Sequence, residues 1–110
     1  MPSLRIRVDI APGQWIGPGK AQLLDEIART GSISAAARAM DMSYRRAWLL
    51  VETLNAMFDE ALVATAAGGR RGGGAALTAR GKTVLAAYRS IERSAARAAA
   101  PAVRTLMRSG

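Results

Sequence analysis

Neither cysteine nor histidine occurs in the 110 residues, which removes disulfide frameworks, thiolate and imidazole metal sites, and every nucleophile and base pairing that needs either side chain. Aromatic residues are scarce, at 5%, so a core must come from Leu, Ile, Val, Met and many alanines. Apolar residues still make up 50% of the chain, a globular composition of about one domain's size. Long apolar runs are missing too. The longest stretch without a charged side chain runs from Ile10 to Gly19, far short of the roughly 20 apolar residues of a membrane helix. With no span and no secretory segment expected, the chain reads as a cytoplasmic, bacterial-type protein. It reads as a non-enzyme as well, with no catalytic residue, metal or cofactor, because the few carboxylates are scattered and no pair converges.

Charge is distributed unevenly. Up to residue 69 the cations Arg5, Arg7, Lys20, Arg29, Arg38, Arg45 and Arg46 are balanced by Asp9, Asp25, Glu26, Asp41, Glu52, Asp59 and Glu60. Beyond that point nine basic side chains face Glu92 alone, so the whole net charge of +8 lies in the C-terminal third. Such a field attracts polyanions, and fourteen Arg against two Lys favours phosphate recognition by planar guanidinium forks. A solvated basic helix that serves only solubility has the same composition.

Along the chain, Leu4, Ile6, Val8 and Ile10 alternate with Ser3, Arg5, Arg7 and Asp9, the period of a half-buried strand. Ala11 to Gly19 is broken by two prolines and three glycines and reads as a loop, with Pro18 suited to the first turn of a helix. That helix, about 18–30, places Leu23, Leu24, Ile27 and Ala28 on one face with Lys20, Asp25, Glu26 and Arg29 largely elsewhere, and stops at Gly31. Ser34 is expected to cap a second helix, Ala35 to about Met40, and Ser43 a third, Tyr44 to about Phe58. Only Asp41, Met42 and Ser43 separate these two, the interval of a helix-turn-helix. At 100° per residue, Ala47, Val51, Leu54 and Phe58 of the third helix form a core face, while Arg45, Leu49, Glu52 and Thr53 point away.

Leu62 to Ala66 and Ala75 to Leu77 are short strand-like pieces flanking Gly68-Gly69-Arg70-Arg71-Gly72-Gly73-Gly74, a cationic hairpin tip. Thr78 is placed to cap a last helix, Ala79 to about Ala100, stopped by Pro101 with a further turn over 102–107. Val84, Leu85, Tyr88, Ile91 and Ala95 are its apolar stripe, Gly81 permits close approach, and Arg89, Arg93 and Arg97 lie on another face. The fold class expected is mainly α with a small β wing: a winged helix-turn-helix with a long C-terminal helix. Its parts are an N-terminal strand and loop (1–17), the winged domain (18–93) and a helical extension (94–110).

The turn pattern fits closely. Ala36, Met40, Met42, Ala47 and Leu50 take the buried spacings, small Ala37 sits where two helices cross, and Asp41 occupies a turn position where glycine is commoner but left-handed Asp is tolerated. Thr30-Gly31-Ser32-Ile33-Ser34-Ala35-Ala36-Ala37, Met42-Ser43-Tyr44-Arg45-Arg46-Ala47-Trp48, Leu54-Asn55, and the Gly-rich wing through Thr78 and Gly81 together resemble the N-terminal DNA-binding domain of ModE-type molybdate-responsive regulators. The likeness runs from about Gly19 to Ile91. LysR-type regulators share the Gly-Ser-x-x-x-Ala-Ala start without similarity at the wing.

This resemblance implies a dimer on double-stranded DNA with the third helix in the major groove, and the last helix, longer than so small a core can cover, is where a homodimer is expected to pair. By position, Ser34, Ser43, Tyr44, Arg45, Arg46 and Leu49 would touch phosphates and base edges, and Arg70 and Arg71 the backbone or minor groove. Trp48 is left between covering the helix junction and stacking on the sugar-phosphate backbone. The family's molybdate sites lie in C-terminal domains, so this chain alone is not expected to bind molybdate. The function expected is sequence-specific transcriptional regulation. Two other readings stay open: a low-specificity nucleoid-associated binder using Arg89, Arg93, Arg97 and Arg104, and a protein-protein adaptor anchored on Trp48 and Leu49.

Overall fold

Pro12 and Gly13 turn the N-terminal segment back on itself. In the computed structural model, which describes residues 2–66 and 74–108, strand β1 (Val8–Ala11) pairs antiparallel with β2 (Gln14–Ile16) in the register Val8 to Ile16, Asp9 to Trp15 and Ala11 to Gln14. Proline fixes φ at the first turn position and Gly13 accepts φ +75° at the second. The stretch expected to be only a loop therefore contains a strand. The expected strand is correspondingly shorter than Leu4 to Ile10, and Leu4 and Ile10 are 45% and 43% exposed.

Helix α1 (Pro18–Thr30) starts with Pro18 in its first turn and ends at Gly31, whose φ of +71° lets its N–H close on the Ile27 carbonyl. Leu23, Leu24 and Ile27 are fully buried, each contributing about 1.5–3 kcal/mol by leaving water. Ala28, expected on this face, is exposed, and Ala21 and Lys20 are buried instead. Lys20 is buried because its amine lies 3.7 Å from the Trp15 ring centre and donates to the Trp15 carbonyl at 2.8 Å. Burial, helped by the charge of Arg7, holds its pKa below the ordinary lysine value. One buried cation thus fastens the N-terminal hairpin to α1.

Helix α2 (Ile33–Ala39) is capped by Ser32, not Ser34: the Ser32 hydroxyl accepts from the Ala35 N–H at 3.0 Å. The earlier start follows because Ile33 is buried and must already lie on the inward face. Helix α3 (Tyr44–Met57) starts where expected, with the Ser43 hydroxyl accepting from the Arg46 N–H at 3.1 Å, and ends with Phe58 just outside it as an extended cap. Between the two, Asp41 adopts φ +54°, as its place in the turn required, and Met42 donates its N–H to the Ala37 carbonyl. Ala36, Ala37 and Ala47 are buried, and Met40, Met42 and Leu50 pack against them.

Strands β3 (Val63–Thr65) and β4 (Ala75–Leu77) pair antiparallel, Val63 opposite Leu77. The Ala75 N–H donates to the Gly31 carbonyl at 2.9 Å, so the wing is anchored to the end of α1. Helix α4 (Ala79–Met107) is one element of 29 residues, capped by Thr78, whose hydroxyl accepts from the Gly81 N–H at 2.9 Å. Pro101 does not stop it. A proline leaves the carbonyl four residues back without its donor, and here that residue, Arg97, lies on an exposed part of the helix where the loss is small because solvent can replace the donor. Gly81, Val84 and Tyr88 are the buried stripe, whereas Ile91 is 42% exposed. The Tyr88 hydroxyl donates to the Ile6 carbonyl at 2.6 Å, and Pro2, Ser3 and Leu4 line a groove with Ala96, Ala99, Ala100, Val103 and Arg104. The N-terminal arm is therefore laid along the outer half of α4. The fold is mainly α with a small β wing and a long last helix, as the element order led one to expect.

Candidate nucleic-acid interface

Helix α3 divides sharply between two faces. Ala47, Val51, Leu54 and Met57 are buried in the core. Ser43, Tyr44, Arg45, Arg46, Trp48 and Leu49 face solvent, with Tyr44, Trp48 and Leu49 exposed by 55%, 40% and 48%. The division is dictated by α1 and α2, which pack on the Ala47 side and leave the opening turn projecting. Among the described residues neither Arg45 nor Arg46 enters an ion pair. Two cations therefore stand unneutralised at a helix start, where the dipole would prefer anions. Cationic forks beside free surface form a receptive site for phosphate or guanine edges.

Ser34 lies on α2 rather than at its cap, half-buried, and its hydroxyl accepts from Arg38 Nη1 at 3.0 Å. Ser43 holds the helix start, so its oxygen already has one partner. Arg70 and Arg71 lie outside the described residues. Six of the eight residues singled out in the sequence are thus placed, five of them together at the opening of α3.

The basic face of α4 is less open than its sequence implied. Arg89 is bound by Asp25 of α1 through Nη2 and by Glu92 at 2.6 Å through Nη1. Those hydrogen bonds, first to Asp25 and then to Glu92, hold its pKa above the ordinary arginine value. Arg80 is likewise drawn to Asp59 at 3.4 Å and lies 5.7 Å from the Phe58 ring. No cluster of three acidic side chains able to hold a metal ion occurs among the described residues, and no described helix is long and apolar enough to cross a membrane.

Asn55 entered the sequence reading only as part of the resemblance, with no role assigned to it. Its Oδ1 accepts from the Leu62 and Val63 N–H groups at 2.9 and 3.0 Å while its Nδ2 donates to the Val63 carbonyl at 3.1 Å. This side chain joins α3 directly to the root of the wing. An amide in the last turn of an amphipathic helix, followed by a short extended run, was the available signal. Thr78 does more than cap: its hydroxyl also donates to the Ala61 carbonyl at 2.7 Å. Helix α3, the wing and the last helix are therefore held in one hydrogen-bonded junction.

Residues 19–82 match the family described as bacterial regulatory helix-turn-helix protein, lysR family. That match passes through both wing strands, so the likeness to LysR-type proteins reaches beyond the start of α2. Among curated proteins, the chain is 40% identical over 88 residues to the molybdenum transport protein ModE of Azotobacter vinelandii, covering 80% of this chain and 33% of that protein. It is 45% identical over 85 residues to the molybdenum-pterin-binding protein MopB of Rhodobacter capsulatus, covering 77% and 32%. The DNA-binding transcriptional dual regulator ModE of Escherichia coli K12 is 39% identical over 71 residues, covering 64% and 27%. The chain spans about a third of the length of the first two relatives. These matches bear out the resemblance carried by the Ser43 to Trp48 block and the wing. With the helix order, the left-handed Asp41 turn and the residue 19–82 match agreeing, the chain belongs to the LysR family of bacterial regulatory helix-turn-helix proteins.

Proposed function

We propose that this chain is a sequence-specific DNA-binding transcriptional regulator that acts as a homodimer, with α3 in the major groove and the wing on the adjacent backbone or minor groove. The observation that carries the reading is the opening of α3, where Arg45 and Arg46 stand solvent-exposed and, among the described residues, without an ion pair while the opposite face of the helix is core. Ser43 and the Tyr44 hydroxyl sit beside them to contact phosphate, Leu49 faces the base edges, Ser34 and Arg38 flank the site from α2, and Arg70 and Arg71 contribute from the wing tip. The relatives named as ModE regulators support the same assignment. Pairing of two copies is supported by the outer part of α4, where Ile91, Leu106 and Met107 are exposed by 42%, 82% and 61%; the pair would read half-sites about one helical turn apart.

The alternative, a low-specificity nucleoid-associated binder, depends on the row Arg89, Arg93, Arg97 and Arg104. Engagement of Arg89 by Asp25 and Glu92 shortens that row and favours the first reading. Fluorescence anisotropy on duplexes selected from a random pool, against unselected duplex, separates the two. Arg45→Ala with Arg46→Ala should abolish the preference for selected over random DNA, and affinity should fall steeply with salt as phosphates are neutralised. Preference retained in the double variant would refute the assigned reading face. Uniform affinity for all duplexes in the native chain would favour the alternative.

A further inference from the structure

Between the two cations and the end of α3 lies an apolar surface that phosphate binding does not explain. Tyr44, Arg45, Trp48 and Leu49 line one shallow depression of about 410 Å³. Tyr44 and Trp48 are four residues apart and Arg45 and Leu49 likewise, so the four form a two-column patch on a single helix face. Trp48 does not cover the helix junction: it is 40% exposed and stands outside the core, which Ala47, Leu50 and Val51 complete on the other side. One turn beyond Trp48, the exposed Glu52 continues the same face. A carboxylate there repels phosphate, which disfavours stacking of Trp48 on the sugar-phosphate backbone and favours the floor of the groove.

Resting on the DNA-binding reading above, we propose that Trp48 and Leu49, with the Tyr44 ring beside them, are specificity-determining residues that read the C5-methyl groups of thymine. In the major groove that methyl is the distinctive apolar feature among the base edges, whose other groups are hydrogen-bond donors and acceptors. An apolar depression bordered by Arg45, which supplies charge complementarity to the duplex, matches a methyl-bearing edge and matches the polar edges of guanine and cytosine poorly. Operators bound by this chain carry thymines opposite the second turn of α3, next to the bases approached by Arg45.

The test uses the full chain and duplexes enriched from a random pool. Each thymine of the enriched sequence is replaced singly by deoxyuridine, which pairs identically and lacks the methyl. The expected result is one or two positions per half-site at which the replacement weakens binding about fourfold, the worth of one hydrocarbon group returned to water. That sensitivity should vanish in Trp48→Ala or Leu49→Ala and persist in Arg45→Ala. Both apolar variants remove exposed side chains, and circular dichroism would verify that they fold. Enriched duplexes insensitive to deoxyuridine at every thymine would overturn the inference and leave the DNA-binding reading standing, as would apolar variants that keep the full sensitivity. Failure of the native, folded chain to enrich or bind any duplex would overturn the DNA-binding reading and this inference with it.

Discussion

Replacing Gly81 by alanine should destabilise the protein although it inserts a better helix former. In an ordinary helix interior the exchange gains roughly 0.8–1 kcal/mol. At Gly81, however, the new Cβ would lie 2.1 Å from the Leu62 carbonyl oxygen and 3.0 Å from its carbon. These are backbone atoms at the root of the wing, so no side chain can rotate away. The same carbonyl accepts from the Thr78 N–H at 2.9 Å, and displacing it loosens the cap of α4. Overpacking of this kind costs about 1–3 kcal/mol and a strained or broken hydrogen bond about 0.5–1.5 kcal/mol. Against the helix-propensity gain, the net loss is about 2 kcal/mol, or a fall in Tm of roughly 8–16 °C for a domain near 100 residues. Gly19→Ala is the control: Gly19 lies in the first turn of α1 with nothing within 4 Å of its would-be Cβ. It should raise stability by about 0.4–1 kcal/mol through the unfolded chain. Thermal and urea unfolding followed by circular dichroism at 222 nm would measure both. A Gly81→Ala protein as stable as the native one would refute the close packing of α4 on the wing root.

Asn55→Ala leaves the Leu62 and Val63 N–H groups without their acceptor; a loss of about 2–3 kcal/mol is expected, with faster amide exchange at those two residues, and unchanged protection would contradict the junction described above. Ser32→Ala should cost about 1 kcal/mol as a lost helix cap, whereas Ser34→Ala should stay within about 0.5 kcal/mol; equal losses in Tm would mean that the cap is misassigned. Burial first, and then the charge of Glu92, raises the Tyr88 pKa above its ordinary value of 10.0. The folded chain then holds this proton more tightly than the unfolded one, so the stability it supplies is complete below pH 10.0 and is lost as pH rises further. The gap in urea-unfolding free energy between native protein and Tyr88→Phe should therefore narrow above pH 10.0, and a gap that widens there would be inconsistent with the bond to Ile6.

Helices and turn were readable because local chemistry and burial agree there. Pro18, Gly31, Ser43 and Thr78 mark boundaries by mechanisms confined to a few residues, and Asp41 marks the turn by its tolerance of left-handed φ. The misreadings arose where distant partners decide. Lys20 looks like a solvated cation until the Trp15 ring is brought over it. The strand Gln14 to Ile16 is only three residues long, and the breakers around it obscured Pro12-Gly13 as a two-residue hairpin turn. Ser34 and Ser32 are chemically equal as caps, and only burial of Ile33 chooses between them. Pro101 is an effective helix breaker by propensity, yet one missing donor on an exposed helix is easily hydrated. At the candidate interface the exposed Arg45 and Arg46 followed from helical periodicity, whereas the ion pairs of Arg89 required α1 and α4 to be seen side by side.

In the homodimer proposed above, the arm fastened by Tyr88 would limit how the two copies meet. By lying in the groove beside Ala96 to Arg104, it shields one flank of the protruding rod from a second molecule. A twofold axis through that rod would then run along the uncovered flank and restrict the rotation of one proposed reading head relative to the other. The spacing between paired binding elements would be ruled by residues 2–6, far from any surface that meets a base pair.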